Sequence, residues 1–136
     1  MPRRQPARVR AEQPRYRRWR YRKYPIPRVN GASGALQAAV VRLENADTRF
    51  EIGGIARALR GWRGRVRCTL RPQCRDYYCP CCSDPDRETL EDAMRRLPKR
   101  QAQELRRLVE PLDEEFIRRT IPVPQWKAGP WWWFRE

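Results

Sequence analysis

The clearest hydrophobic pattern in the chain lies between residues 84 and 119, where apolar residues recur every three or four positions, as on one face of a helix. The apolar face of a first predicted helix consists of Leu90, Ala93, Met94 and Leu97. Asp84 and Pro85 before it are typical of a helix start. A second helix follows Pro98, with the stripe Ala102, Leu105, Leu108 and Val109. Pro111 opens a third, so the pattern predicts three short helices over about 84–119.

Residues 38–52 show a different pattern, in which apolar and polar side chains alternate along two short runs. The members of the apolar face are Val41, Leu43, Phe50 and Ile52. Residues 45–47 between the runs are suited to a turn, so the alternation favours a β-hairpin. A helix over the alanine-rich residues 35–41 stays open as the alternative. Residues 66–70 are predicted as a further strand, which makes the fold class α+β.

All five cysteines lie within fifteen positions, from 68 to 82. Cys79 and Cys82 form a CxxC pair with proline in its second place, which favours a turn that directs two thiolates at one tetrahedral ion. Cys68 and Cys74 can supply the other two ligands, and Cys81 is an alternate. The chain has no histidine, which excludes a mixed Cys/His site and histidine-based catalysis. The predicted metal site is therefore Cys68, Cys74, Cys79 and Cys82.

Zinc is the favoured metal, and its predicted role is structural, because a closed shell of four thiolates leaves no open position for a substrate. An iron–sulfur cluster is a less favoured option, and disulfides or a buried thiol without metal are a third. No signal-peptide pattern precedes the site, which favours a reducing cytoplasm over disulfides. The CxxC pair and the helix start after it resemble the second half of a treble-clef finger over residues 79–97. That resemblance implies an architecture and no particular function.

Positive charge is concentrated at the start of a chain whose net charge is +15. Residues 1–30 contain eleven Arg or Lys and one Glu, together with five prolines. The segment is therefore predicted to be an arm that is disordered unless a partner orders it. Between residues 15 and 24, aromatic residues alternate with arginines, which suits base stacking beside phosphate neutralisation. Binding to an anionic membrane surface or an acidic protein, and a solvated charge run, stay open.

The residues predicted to contact nucleic acid lie in this arm and in a second basic stretch around residue 63. They are Arg15, Arg17, Arg18, Trp19, Arg20, Tyr21, Arg22, Arg63, Arg65 and Arg67. For Trp62 the sequence favours two positions equally, stacked on a base or buried in the core. Structured RNA, including a ribosome, is favoured over DNA, because an arm with aromatic anchors suits irregular RNA.

The last residues of the chain form a dense aromatic cluster, Trp131, Trp132, Trp133 and Phe134. Exposing four large apolar side chains to water is unfavourable, so something must cover them. Two alternatives follow. The tail packs back on its own core, or it inserts into a groove of a protein or RNA partner.

Together these patterns predict a small zinc-stapled α+β domain with a hairpin, a four-cysteine knuckle and three short helices. The predicted divisions are the basic arm 1–30, the domain 31–121 with its metal site at 68–82, and the extended tail 122–136. The predicted function is a non-enzymatic, cytoplasmic nucleic-acid-binding protein with no integral membrane association, because no apolar run is long enough to span a bilayer. The alternatives are a protein-interaction adaptor that docks through its helices and tail, and a DNA-binding zinc protein.

The metal hypothesis predicts about one zinc ion per chain in the purified protein. Elemental analysis of the isolated protein measures this directly. Iron accompanied by absorbance in the visible range would replace zinc with an iron–sulfur cluster.

Overall fold

The computed structural model describes residues 25–67, 85–122, 129–133 and 135. Its helices are α1 (Gly34–Ala46), α2 (Gly54–Arg67), α3 (Pro85–Arg96) and α4 (Lys99–Arg119), followed by a single 3-10 turn, Trp131–Trp133. Within the described ranges, the β-type pairing consists of one isolated antiparallel bridge between Pro122 and Arg135. The longest helix, α4, packs against each of the other three. The described part of the chain is therefore helical.

The predicted fold class, a zinc-stapled α+β domain, is wrong. Residues 38–52 form most of α1 and the loop after it instead of a hairpin, and Val66 lies in the last turn of α2 instead of starting a strand. Among the described residues, no group of three or more Cys, His, Asp or Glu side chains is placed to hold a metal. The core described below is closed by apolar side chains. The predicted ligands all lie outside the described residues, and they are Cys68, Cys74, Cys79, Cys82 and the alternate Cys81.

Helix α1 is started by a capping arrangement that joins two distant parts of the chain. Ser33 is the N-cap, and its Oγ accepts a hydrogen bond from the Leu36 backbone N–H at 3.2 Å. The Ser33 N–H and Oγ–H donate to the two oxygens of Glu104 at 2.7 and 2.9 Å. In a capping box this acceptor belongs to the third residue of the same helix. Here that residue is Leu36, and the carboxylate comes from α4 instead.

The buried carboxylate of Glu44 connects α1 to the start of α2. Glu44 is 5% exposed, and its oxygens accept hydrogen bonds from the backbone N–H groups of Gly53 at 2.7 Å and Ile55 at 3.0 Å. A carboxylate near a helix N-terminus is favoured by the helix dipole. Gly53 has a φ of +74°, and a Cβ there would lie 2.7 Å from Pro27. Glycine is therefore required where residues 25–29 cross this turn.

The interior is a single apolar cluster to which all four helices contribute. Its largest fully buried side chain is Trp62 of α2, whose ring centroid lies 4.8 Å from that of Phe116 in α4. The Trp62 Nε1–H donates to Asp113 Oδ1 at 3.0 Å. Trp62 is thus a core residue and is not available to stack on a base. Val29, 2% exposed, also belongs to this core, so the packed domain includes residues before Asn30.

Helix α4 passes through Pro111 without ending. The prediction of three helices over 84–119 is wrong in number, since this region contains two. Proline removes one hydrogen bond from the helix interior. The apolar stripe of Leu105, Val109 and Phe116 continues on both sides of Pro111 and is buried, so burial of this stripe offsets the lost bond.

A buried ion pair joins α3 to α4. The Arg87 side chain is 6% exposed, and its Nε and Nη2 each donate to a different Asp113 oxygen at 2.9 Å. Its Nη1 donates to Glu91 Oε2 at 3.1 Å. Burial raises the pKa of Asp113, and the hydrogen bonds from Arg87 and Trp62 oppose that rise. The Arg87 charge therefore favours the ionised form of this partly buried carboxylate.

In the part of the C-terminal tail that the structure describes, Trp131 and Trp132 pack on the domain, as in the first of the two alternatives left open by the sequence. Trp132 is 6% exposed and lies in the core cluster, with Trp131 partly buried beside it. The Arg87 guanidinium lies 4.3 Å from the centroid of the Trp132 ring. Arg135 donates to the carbonyls of Ile117 and Thr120 at 2.9 and 2.8 Å, which caps the C-terminus of α4. The side chains of Trp133 and Phe134 lie outside the described residues.

Replacing Arg87 with methionine is expected to lower the free energy of unfolding by about 3 kcal/mol at pH 7, because it leaves the Asp113 carboxylate buried without its counterion. The loss should shrink as the pH falls. In the variant, the folded-state pKa of Asp113 rises further above its unfolded value, so the penalty is absent once the group is protonated in both states. Denaturant unfolding at several pH values measures this.

The matched control is Arg95→Met, which removes an exposed arginine paired with Glu91 on the same helix. That change should cost under about 1 kcal/mol. An equal loss in the two variants would contradict the role given to the buried pair.

The Ser33 cap predicts a separate acid-dependent effect. The hydrogen bonds from the Ser33 N–H and hydroxyl hold the pKa of Glu104 below its usual 4.5. A depressed folded-state pKa gives stability that is present above the unfolded pKa and is lost as the pH falls through the folded one. Glu104→Gln should therefore lower the melting temperature at pH 7, and its difference from the natural protein should shrink below pH 4.5. Glu110→Gln, on the same helix, is the control and should show no such convergence.

Candidate functional site

Helix α2 is divided sharply between a buried apolar side and an accessible cationic side. The buried residues are Ile55, Ala56, Ala58, Leu59, Trp62 and Val66. All remaining positions of this helix are arginine or glycine, namely Gly54, Arg57, Arg60, Gly61, Arg63, Gly64, Arg65 and Arg67. The helix contains no acidic residue. Its outer face therefore carries positive charge and no other functional group.

A cavity of about 250 Å³ opens between this outer face and the segment that precedes α1. We call it the basic groove, and its lining residues are Pro27, Arg28, Asn30, Ala56, Leu59, Arg60 and Arg63. Ala56 and Leu59 are buried and form an apolar floor, whereas Arg28 and Arg60 are exposed at the rim. The position of the segment is set by Val29, whose N–H donates to the Gln37 side chain at 3.3 Å. The Gln37 side-chain amide in turn donates to the Val29 carbonyl at 2.6 Å.

The three arginines of the basic groove have no hydrogen bond or ion pair to any residue that the structure describes. Neighbouring arginines are engaged, since Arg57 pairs with Glu51 at 2.7 Å and Arg49 with Asp47 at 3.0 Å. Three guanidinium groups around one concavity favour a bound anion with several oxygen acceptors.

The basic groove lies next to the predicted arm in the chain. Arg28 is the last cation of the arm segment 1–30, and it lines the groove together with two arginines of α2. The cations that the sequence places in the arm therefore come directly before the groove residues in the chain.

The three arginines predicted as contacts in the second basic stretch, Arg63, Arg65 and Arg67, all lie on α2, but on different sides of it. Arg63 lines the basic groove, and Arg67 is exposed near the end of the helix. Arg65 lies on the other side, with its guanidinium carbon 5.9 Å from the centroid of the Phe116 ring. The predicted arm contacts Arg15, Arg17, Arg18, Trp19, Arg20, Tyr21 and Arg22 lie outside the described residues.

Two arginines of the basic groove, Arg28 and Arg60, were not among the predicted contacts. A sequence signal for Arg60 exists, because Arg57, Arg60 and Arg63 recur at the spacing of one helix face. That signal requires a helix through residue 67. Gly61 and Gly64 argue against such a helix on propensity alone, and the structure shows that the burial of Trp62 and Val66 outweighs this preference.

The described residues form four helices, one of which has an outer face of arginine and glycine beside the basic groove. No protein-family model, curated protein or solved structure matches the chain. In the part that the structure describes, no helix combines the length and the apolar character needed to cross a bilayer.

Proposed function

We propose that the protein binds RNA through phosphate contacts made by the basic groove and by the arginine-rich arm before it. The observation that supports this most is the convergence of Arg28, Arg60 and Arg63 on one cavity without a described carboxylate partner. Arginine binds phosphate oxygens with two parallel N–H donors, which fixes orientation as well as charge. Binding at these positions displaces condensed counterions, so it should weaken steeply with salt.

The preference for RNA over DNA rests on the aromatic residues of the arm. Tyr16, Trp19, Tyr21 and Tyr24 alternate there with cations. Unpaired bases in loops and bulges stack on such side chains, whereas bases inside a DNA duplex are not accessible to them. Structured RNA, including ribosomal RNA, therefore suits the combination of arm and groove best, and a non-enzymatic, cytoplasmic role fits this partner.

A structural zinc site at Cys68, Cys74, Cys79 and Cys82 is part of the proposal. The support is the ligand spacing in the sequence, with Cys68 directly after the last residue of α2.

A protein-interaction subunit is the second candidate. The observation that favours it is the exposure of Ile117 and Ile121, 43% and 74%, at the C-terminal end of α4. Trp132 contributes nothing to such a surface, because it is buried in its own core. Deleting residues 1–24 separates the two candidates, since the RNA binder should lose most of its affinity and the adaptor should keep its partner.

The basic groove makes a specific prediction for the double variant Arg60→Gln/Arg63→Gln. Its affinity for an RNA hairpin should fall by at least about tenfold at low salt, because two phosphate contacts are lost. The slope of log affinity against log salt should become shallower by roughly 0.7 to 0.9 for each lost contact. Fluorescence anisotropy across a salt series measures both, with duplex DNA of equal length as the competing ligand.

The control for charge is Arg42→Gln, which removes an exposed arginine of α1 that does not line the groove. It should leave the slope unchanged. If the natural protein bound neither RNA nor DNA, the proposed function would be wrong. If Arg42→Gln weakened RNA binding as much as Arg60→Gln or Arg63→Gln made singly, the groove would have no specific role in binding. Tighter binding to duplex DNA than to RNA would replace the proposed partner with DNA.

A further inference from the structure

Nothing in residues 25–67, 85–122, 129–133 and 135, which the structure describes, requires glycine at position 64. It lies inside α2, where glycine lowers helix stability relative to alanine. Its φ is not in the left-handed region, and a Cβ built on it would meet no described atom within 4 Å. Gly61 on the same helix is different, because its Cβ would lie 2.6 Å from Asp86 Cγ. The contact between α2 and α3 therefore accounts for Gly61 and leaves Gly64 unexplained.

The surroundings of Gly64 are cationic and open. Arg60 is four residues before it and Arg67 three residues after it, so all three lie side by side on the exposed face. Arg63, the neighbouring residue, lines the basic groove. Neither Arg60, Arg63 nor Arg67 has a hydrogen bond or ion pair to a described residue. A residue that breaks a local preference without a packing reason is expected at functional sites.

We propose that the gap at Gly64 is the position at which the sugar–phosphate backbone of the RNA lies directly against α2. The inference rests on the proposed function and names where the strand crosses the helix. Without a side chain at this position, a strand can approach the helix backbone closely. Arg60 and Arg67 are then on either side of it and reach the phosphates before and after the crossing point.

This placement also determines what α2 recognises. Apart from glycine, every accessible residue of the helix is an arginine. At the proposed crossing point these arginines contact phosphate and sugar, and such contacts carry no sequence information. Helix α2 therefore binds the RNA backbone irrespective of its sequence.

The test adds bulk at Gly64 without changing any charge. Gly64→Gln should weaken binding of an RNA hairpin on the order of tenfold, because the side chain displaces the strand from both flanking arginines. Gly64→Ala should raise the melting temperature, since alanine favours the helix, and should weaken binding by a smaller factor. Calorimetry and anisotropy at fixed salt measure the two quantities, and circular dichroism verifies the fold.

Gly34 is the matched control, because it is also an exposed helical glycine whose added Cβ would meet nothing within 4 Å. Gly34→Ala and Gly34→Gln should leave RNA affinity within about twofold. If Gly64→Gln bound RNA as tightly as Gly34→Gln, the inference would be overturned while the proposed function stood. If the natural protein showed no salt-dependent RNA binding, both would be overturned.

Discussion

The Asp113 carboxylate connects α4 to two other helices and, through Arg87, to the C-terminal tail. From its position in α4 it accepts hydrogen bonds from Trp62 in α2 and from Arg87 in α3. Arg87 in turn lies against the Trp132 ring of the tail. Two helices and the C-terminal segment are thus held in place, directly or through Arg87, by contacts to one carboxylate. Because that group is largely buried, each partner that satisfies it is required, and none can move independently of the others.

This network also determines which residues of α2 face solvent. The Trp62 N–H must point at Asp113, which fixes the rotation of the helix about its axis. At 100° per residue, Arg60 and Gly64 then lie on the side opposite Trp62. The cationic face is therefore a consequence of the same contact that closes the core. A change in the core that rotated α2 would redirect Arg60 and Arg63 away from the basic groove.

The helix prediction was correct where the buried face consists of apolar residues alone, and it was wrong where a polar residue is buried. Leu90, Ala93 and Met94 lie on the buried face of α3 as expected. Helix α1 was mistaken for strands because Glu44 was counted as an outward-facing residue, whereas it is buried against the start of α2. Its cap is completed by Glu104, which is 71 positions from Ser33. No local pattern contains such a contact.

The sequence predicts an arginine-rich site, but it does not give the position of that site on the fold. Net charge and arginine content pointed to a polyanionic partner, and they do so before any fold is known. Charge and composition do not show which arginines lie together. Arg28 and Arg60 line the same cavity only because α2 packs beside residues 27–30. Conversely, Arg65 lies in the same basic stretch as Arg63, but its guanidinium group lies near the Phe116 ring instead of the groove.

The described aromatic residues face inward, and this constrains how the proposed RNA binding can be divided along the chain. Trp62, Phe116 and Trp132 belong to one buried cluster, so they cannot stack on bases. The α2 face supplies positive charge alone. Discrimination between RNA and other polyanions must then come from the arm, where aromatic residues alternate with cations. The helical domain would contribute the salt-dependent part of the affinity, because phosphate contacts dominate that term, and the arm would contribute base stacking.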